Sequence, residues 1–286
     1  MRGALLALAA LVLSACQARA EPPIWIVRDH DSELLLFGSI HVLPRGMAWK
    51  PRRLDAAMAR ADDIWFEMPM DAAAQGQSAA LAAQRSFLPA GQSLFALVGP
   101  TDAARLKTIC ADYGVPADYM DRLQPWMADI VLSAGAFRRF DASAAAGAER
   151  VLTAQAPATA ALKAFETPTE QVALFADAPM AEQLASLRQT LDEMADGPDE
   201  YASLLKAWLA GDVRALEKQA VAPLRKASPA LYRRLVVDRN RRWTTVIDQR
   251  LKGKGRTVVI VGMGHLVGKD GLPTALRALG YRVEGP

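Results

Sequence analysis

Apolar positions recur along this chain in two rhythms, and each change of rhythm marks an element. Residues 24–27 and 33–37 are short apolar runs separated by the polar turn "RDHDS", the pattern of two strands in a hairpin. After Pro44 and Gly46, Pro51 opens a helix through Arg60, because proline is well tolerated in a first turn. "DIWFEMP" then predicts a short strand over 64–67, stopped by Pro69. Helical periodicity dominates 71–150, with breaks at Pro89-Ala90-Gly91, Gly99-Pro100 and Gly114-Val115-Pro116, and Pro125 opens a further helix. A strand ends near residues 165 and 166, where Thr167 or Thr169 suits the cap of the next helix. More helices fill 169–252, punctuated by Gly197-Pro198, Gly211 and Pro223. Residues 256–261 form the clearest strand; "LPTALRALG" is a short helix closed by Gly280, and 281–284 ends the chain as a strand.

Strands that are apolar at every position belong in sheets covered by helices on both faces. The reading is therefore one α/β domain over 21–286, its sheet built largely from the two terminal regions, with a long helical insertion between them. The two ends also mirror each other. Strand, Gly-x-x-His, helix, strand, glutamate describes both 34–67 and 258–284.

Composition adjusts this picture at the N-terminus. The 286 residues are 51% apolar and 23% charged, as in an ordinary soluble globule. The first twenty read instead as a secretory signal: a basic start at Arg2, then a small-apolar run too short to span a bilayer. Two processing sites compete. Ala18-Arg19-Ala20 has the small-x-small form of an ordinary cleavage site, whereas "LSAC" resembles a bacterial lipobox that would place a lipid on Cys16. The apolar run leads directly into "LSAC", which favours the lipobox. The expected location is thus the periplasm, or the bacterial envelope through an N-terminal lipid, which would be the chain's one link to a membrane. Losing residues 1–20 removes Arg2 and Arg19 and no acid, so the formal charge of +3 falls to +1 and leaves no electrostatic case for nucleic acid. Cys110, the only other cysteine, reads as a buried small hydrophobe in a helix.

Candidate chemistry lies at the strand ends. His41, Glu67, Glu166 and His265 each fall at or just past the C-terminal end of a predicted strand, the edge where open α/β sheets gather their sites. Gly38 and Gly262 lack a Cβ, so a ligand or a neighbouring backbone can approach closely there. Two imidazoles and a carboxylate can hold a divalent ion and leave a position for water, and a second carboxylate can act as base or orient a ligand. Mixed nitrogen and oxygen ligation leaves manganese, zinc and cobalt all open. Against this stands the ordinary role of a strand-end histidine, which is to satisfy backbone groups. His30, in the turn, is solvated. In "DRNRRW" the helical pattern exposes Arg241 and Arg242, while Arg239 can turn inward to a carboxylate. No G-x-S-x-G elbow or Walker loop is present, and "GMGHLVG" places its third glycine one position late for a dinucleotide fingerprint.

In order along the chain, "LLLFGSIHVLP", "IWFEMP", "LKAFETPTEQ", "LVVDRNRRWTTVIDQRL" and "TVVIVGMGHLVGKDGLPTALRALGYRVE" resemble the TraB/GumN family, which includes the PrgY pheromone-shutdown proteins and the Tiki metalloproteases. The resemblance implies a mixed central sheet of the erythromycin-esterase and ChaN-like type. It also implies that His41 and His265 are the motif histidines, Glu67 and Glu166 the motif acids, and Arg239 the arginine of an "RN" motif. For Tiki-type members it implies metal-dependent proteolysis; for bacterial members it implies no substrate.

The leading expectation is a metal-dependent hydrolase of the cell envelope acting on a peptide or small molecule, with peptide hydrolysis foremost. His41, Glu67 and His265 would hold the metal, Glu166 would activate water, and Arg239 would bind a substrate carboxylate or developing negative charge. The alternative is a non-catalytic periplasmic protein that sequesters a peptide or a small ligand such as haem.

Overall fold

The computed structural model describes residues 21–196 and 199–286; the expected signal, with Cys16, and the Gly197-Pro198 break lie outside them. The hairpin forms as the sequence predicts. β1 (Ile24–Arg28) and β2 (Ser32–Ser39) pair antiparallel, from Ile24 opposite Phe37 to Arg28 opposite Glu33. Downstream come β3 (Leu43–Pro44), β4 (Asp63–Phe66), β5 (Ala142–Ser143), β6 (Ala161–Ala164), β7 (Gly255–Gly262) and β8 (Arg282–Glu284). Six strands make one mixed sheet in the order β6-β4-β7-β2-β1-β8, so the fold is mixed α/β with its sheet drawn mostly from the two ends of the chain. β6, β4, β7 and β2 run parallel, and their C-terminal ends share one edge.

The centre of the sheet is apolar because both its faces are covered. Leu34, Leu35, Leu36 and Phe37 of β2, and Val258 to Val261 of β7, all lie in a core shared with the helices Arg52–Met58, Asp199–Ala210 and Asp238–Leu251. Trp208 closes this core over β2, and its indole N–H donates to the Gly38 carbonyl at 2.8 Å, the partner a buried Trp requires.

Several boundaries move. Pro51 caps the first helix, which runs from Arg52 to Met58 and stops short of Arg60. β6 ends at Ala164, but its ladder continues: Phe165 and Glu166 donate their N–H groups to the carbonyls of Phe66 and Glu67. Thr167 is the cap of the next helix, Pro168–Ala176, in a reciprocal box with Glu170. The sequence pattern missed the small β3–β5 ladder, because two-residue strands carry no periodicity. That ladder ties the segment after His41 to the end of the helix Pro125–Arg138.

The helical insertion has its own core of Leu94, Leu106, Met120, Leu132, Leu187 and Leu191, into which Cys110 is buried as a small hydrophobe. Among the described residues, no helix is long and apolar enough to cross a membrane.

Burial at the centre and exposure at the rim of the sheet make a contrast that can be measured. Leu36 is 0% exposed, whereas Leu162 on edge strand β6 is 51% exposed. Leu36→Ala is expected to destabilise the fold by about 2–5 kcal/mol, and Leu162→Ala by about 0.5 kcal/mol or less, read from urea unfolding midpoints. Equal costs would contradict the strand order.

Candidate functional site

The parallel strands deliver their residues to one edge. Glu67 follows β4, Glu166 follows β6, His265 closes the 3-10 turn Met263–His265 after β7, and His41 lies two residues beyond β2. The two Gly-x-x-His motifs are not equivalent. β2 and β7 pair Gly38 with Val261 and Ser39 with Gly262. Because side chains alternate along a strand, the two glycines therefore face opposite sides of the sheet. A Cβ on Gly38 would meet the Met263 side chain, so that glycine makes room for core packing. A Cβ on Gly262 would lie 3.1 Å from Glu67 Oε1 and 3.3 Å from His41 Nε2, so this one makes room for the site.

Arg239 organises the buried half. The helix Asp238–Leu251 turns Arg239, Trp243, Ile247 and Leu251 inward at four-residue intervals, and it follows a π-helical turn, Arg233–Val237. Arg241 faces solvent, as expected; Arg242 is half-exposed but reaches Glu166 Oε1 at 3.2 Å. Arg239 is buried. Its Nε and Nη2 donate to the two oxygens of Glu166 at 2.9 and 3.0 Å, Nη2 also donates to Glu67 Oε2, and Nη1 donates to the Leu235 carbonyl and to His265 Nε2. Burial works against its charge, and the Glu67 and Glu166 carboxylates more than offset this, so its pKa rises. The planar fork of arginine makes these several contacts at once, which a lysine could not.

This network answers two expectations. His265 was read as a metal ligand, but Nε2 accepts from Arg239 at 3.0 Å and Nδ1 donates to Asn240 Oδ1 at 2.7 Å, so both ring nitrogens are occupied. Asn240 holds the same turn from behind, through its Nδ2 to the carbonyls of His265 and Asp270. Burial, with Arg239 and His41 nearby, pushes the His265 pKa down to about 3 against the pull of Glu67, and the ring is neutral. Glu166 was read as the base, but its side chain is 1% exposed. Its oxygens accept from Arg239, Arg242, the Trp243 indole and Gln171. The structure places it behind Arg239, sealed from water.

The open half contains a residue the sequence did not single out. His41 has a 64% exposed side chain, and its Nδ1 sits 2.8 Å from Glu149 Oε1. Ser39 Oγ donates to the same oxygen. Glu149 opens the helix Ala148–Ala154, which docks against the His41 loop through the Ala148 N–H to the Ile40 carbonyl at 3.0 Å. Gly147 permits that contact: a Cβ there would sit 2.0 Å from the His41 carbonyl oxygen. The motif "GAER" was the available signal, but in an alanine-rich helical stretch it looks like any solvated turn.

Glu67 joins this half through Oε1, which accepts from the Gly262 N–H at 2.7 Å. Burial disfavours its charge, yet His265, Arg239, His41 and that N–H together hold its carboxyl well below the usual carboxylate range. One ligand atom from each of His41, Glu67 and Glu149 lies within 4.8 Å of the other two, a cluster that could hold a metal ion. The cradle left by Gly262 and the mixed imidazole and carboxylate donors fit such an ion. His41 also faces a largely apolar cavity of about 870 Å³ between its loop and the helical insertion.

The electrostatics lead to two outcomes. In metal-free protein the neighbouring Glu149 carboxylate raises His41 to about 9, whereas His265 stays near 3, so imidazole NMR should show one ring titrating in the alkaline range and one that does not protonate above pH 4. His265, depressed from 6.5, contributes stability that is present above pH 6.5 and is lost as pH falls toward 3. His41 contributes with the opposite sign, present below 6.5 and lost as pH rises toward 9, and its exposure weakens that contribution. Arg239→Ala leaves buried Glu67 without its guanidinium and Glu166 with the half-exposed Arg242 alone, and should cost about 3–5 kcal/mol in chemical denaturation.

Comparison with curated proteins and with solved structures returned no match to the chain. The model of the TraB/PrgY/gumN family matches residues 23–285, which include every strand of the sheet, both Gly-x-x-His motifs and the Arg239 helix. On that match the chain belongs to the TraB/PrgY/gumN family.

Proposed function

We propose that the protein is a metal-dependent hydrolase of the bacterial envelope, acting on peptides, with His41, Glu67 and Glu149 as the protein ligands of a manganese, zinc or cobalt ion. The observation that carries this reading is the convergence of those three side chains beside an open cavity, backed by a buried arginine. When bound, such an ion supplies the acidity that turns water into a nucleophile near neutral pH.

The protein groups divide the remaining work. Glu67 stays ionised because Arg239 and the Gly262 N–H hold its two oxygens, which also aims it at the open side. Glu149 Oε1 is oriented by Ser39 and His41, and no donor among the described residues reaches Oε2, so Oε2 is the oxygen of Glu149 left free to meet an ion. Glu166, Asn240 and Trp243 are positioning residues. They fix Arg239 and the neutral His265 ring, as supporting groups do in metal sites generally. Arg239 has its donors committed to Glu67, Glu166, His265 and Leu235, and so supports the site in place of clasping a substrate carboxylate. Export, with or without a lipid on Cys16, belongs to this reading through the N-terminal segment.

Metal analysis after loading should find one ion per chain in wild type and in His265→Gln, and none in His41→Ala or Glu149→Ala. Loss of the ion from His265→Gln with retention in Glu149→Ala would reverse the ligand assignment. Incubation of loaded protein with a peptide library should yield new termini by mass spectrometry, abolished by chelator and restored by metal. Peptide binding without new termini would turn the reading to sequestration. Because His41 must lose its proton to bind an ion, affinity should rise with pH up to about 9.

A further inference from the structure

The cavity beside His41 contains one charged group that nothing above explains. Its lining is largely apolar and includes Ile40, Val42, Trp126, Phe137, Phe175 and Tyr201. At about 870 Å³ it lies within the range of sites that enclose small ligands. Into this wall the helix Pro125–Arg138 places Asp129. The neighbouring helix Met180–Asp196 answers with two hydroxyls one turn apart: Ser186 Oγ donates to Oδ2 at 2.7 Å and Thr190 Oγ1 to Oδ1 at 2.6 Å.

Among the described residues, those two hydroxyls are the groups that favour its charge. Burial pushes the Asp129 carboxyl up, and among the described residues no cation offsets it. Arg138 also lines the cavity, but it lies nine residues further along the same helix, about 13 Å along the axis. His41 is already paired with Glu149. A carboxylate partly withdrawn from water without a cation is disfavoured, and charges set into apolar surroundings in folded proteins are ordinarily paired. Asp129 is oriented by donors at both oxygens and lacks the positive partner that its surroundings call for.

We propose that the cavity binds a cationic amphiphile: a ligand with an apolar body about the size of a phenylalkyl group, seated against Trp126 and Phe137, and one ammonium that pairs with Asp129. The binding stands on the cavity and Asp129 alone. Its connection to catalysis rests on the hydrolase reading, under which the substrate group lying beside His41 is an apolar residue with a nearby amine, such as a peptide N-terminus or a lysine side chain.

Calorimetric titration of the purified protein with 4-phenylbutylamine, 4-phenylbutan-1-ol and 4-phenylbutyrate at pH 7 tests this. These probes share one apolar body and differ in charge. The amine should bind at least ten-fold more tightly than the alcohol, and the acid most weakly. Asp129→Asn should bring the amine down to the affinity of the alcohol without altering the circular dichroism spectrum. Equal binding of amine and alcohol would overturn the proposal and leave Asp129 as a tie between two helices, as would failure of all three to bind. A folded Asp129→Asn that keeps the preference would also overturn it. If that variant does not fold, the amine-to-alcohol ratio in wild type decides alone. Peptide turnover is not the readout, so failure of the hydrolase reading and failure of this one are separate results.

Discussion

A single buried guanidinium sets the terms for this site. Arg239 is the cation against which Glu67 and Glu166, both withdrawn from water, hold their charges, and it also donates to His265. These contacts bring together the ends of β4, β6 and β7 and the helix Asp238–Leu251, so the edge of the sheet and the helix packed on it cannot shift independently. A buried pair of this kind adds little net stability over an apolar core, since desolvation offsets most of the attraction. What it contributes here is geometry. The carboxylate facing the open side is pinned through one oxygen to the arginine and through the other to a backbone N–H.

The same network explains why two similar motifs have diverged in use. His265 has an arginine on one ring nitrogen and an asparagine on the other, with the Trp243 ring tilted against it, centroids 4.4 Å apart. It is an acceptor built into the support. His41 is turned outward, with Glu149 on one nitrogen and the other directed toward Glu67 and the Gly262 cradle. A carboxylate behind an imidazole raises its basicity and fixes its orientation, which are the properties a metal ligand needs. The site therefore has a sealed half that fixes charge and an open half free to bind.

The helical insertion is more than a connector between two parts of a sheet. Through Ala148 and the β3–β5 ladder it grips the loop that carries His41, and it supplies Glu149. It also supplies most of the cavity wall, including Asp129. The sheet edge and the insertion thus each contribute to the space where a ligand would lie, with His41 and Glu67 from one and Glu149 and much of the enclosure from the other.

Much of this was legible in the residues alone. Runs such as "LLLF" and "VVIV" read as strands buried on both faces, so His41, Glu67, Glu166 and His265 could be placed at one edge from the sequence. Arg239 could be read as turning inward because its planar fork can pair with a carboxylate. The roles were decided only in three dimensions. Local pattern specifies which element forms, but the role of a side chain depends on strand register and helix rotation, which are long-range packing outcomes. A one-residue offset between β2 and β7 put the two glycines on opposite faces, a π-helical turn preceded the helix that aims Arg239, and a docking contact more than a hundred residues away brought Glu149 to His41. Glu149 stood in an alanine-rich helix with nothing local to distinguish it, because what gives it a role is the partner it meets.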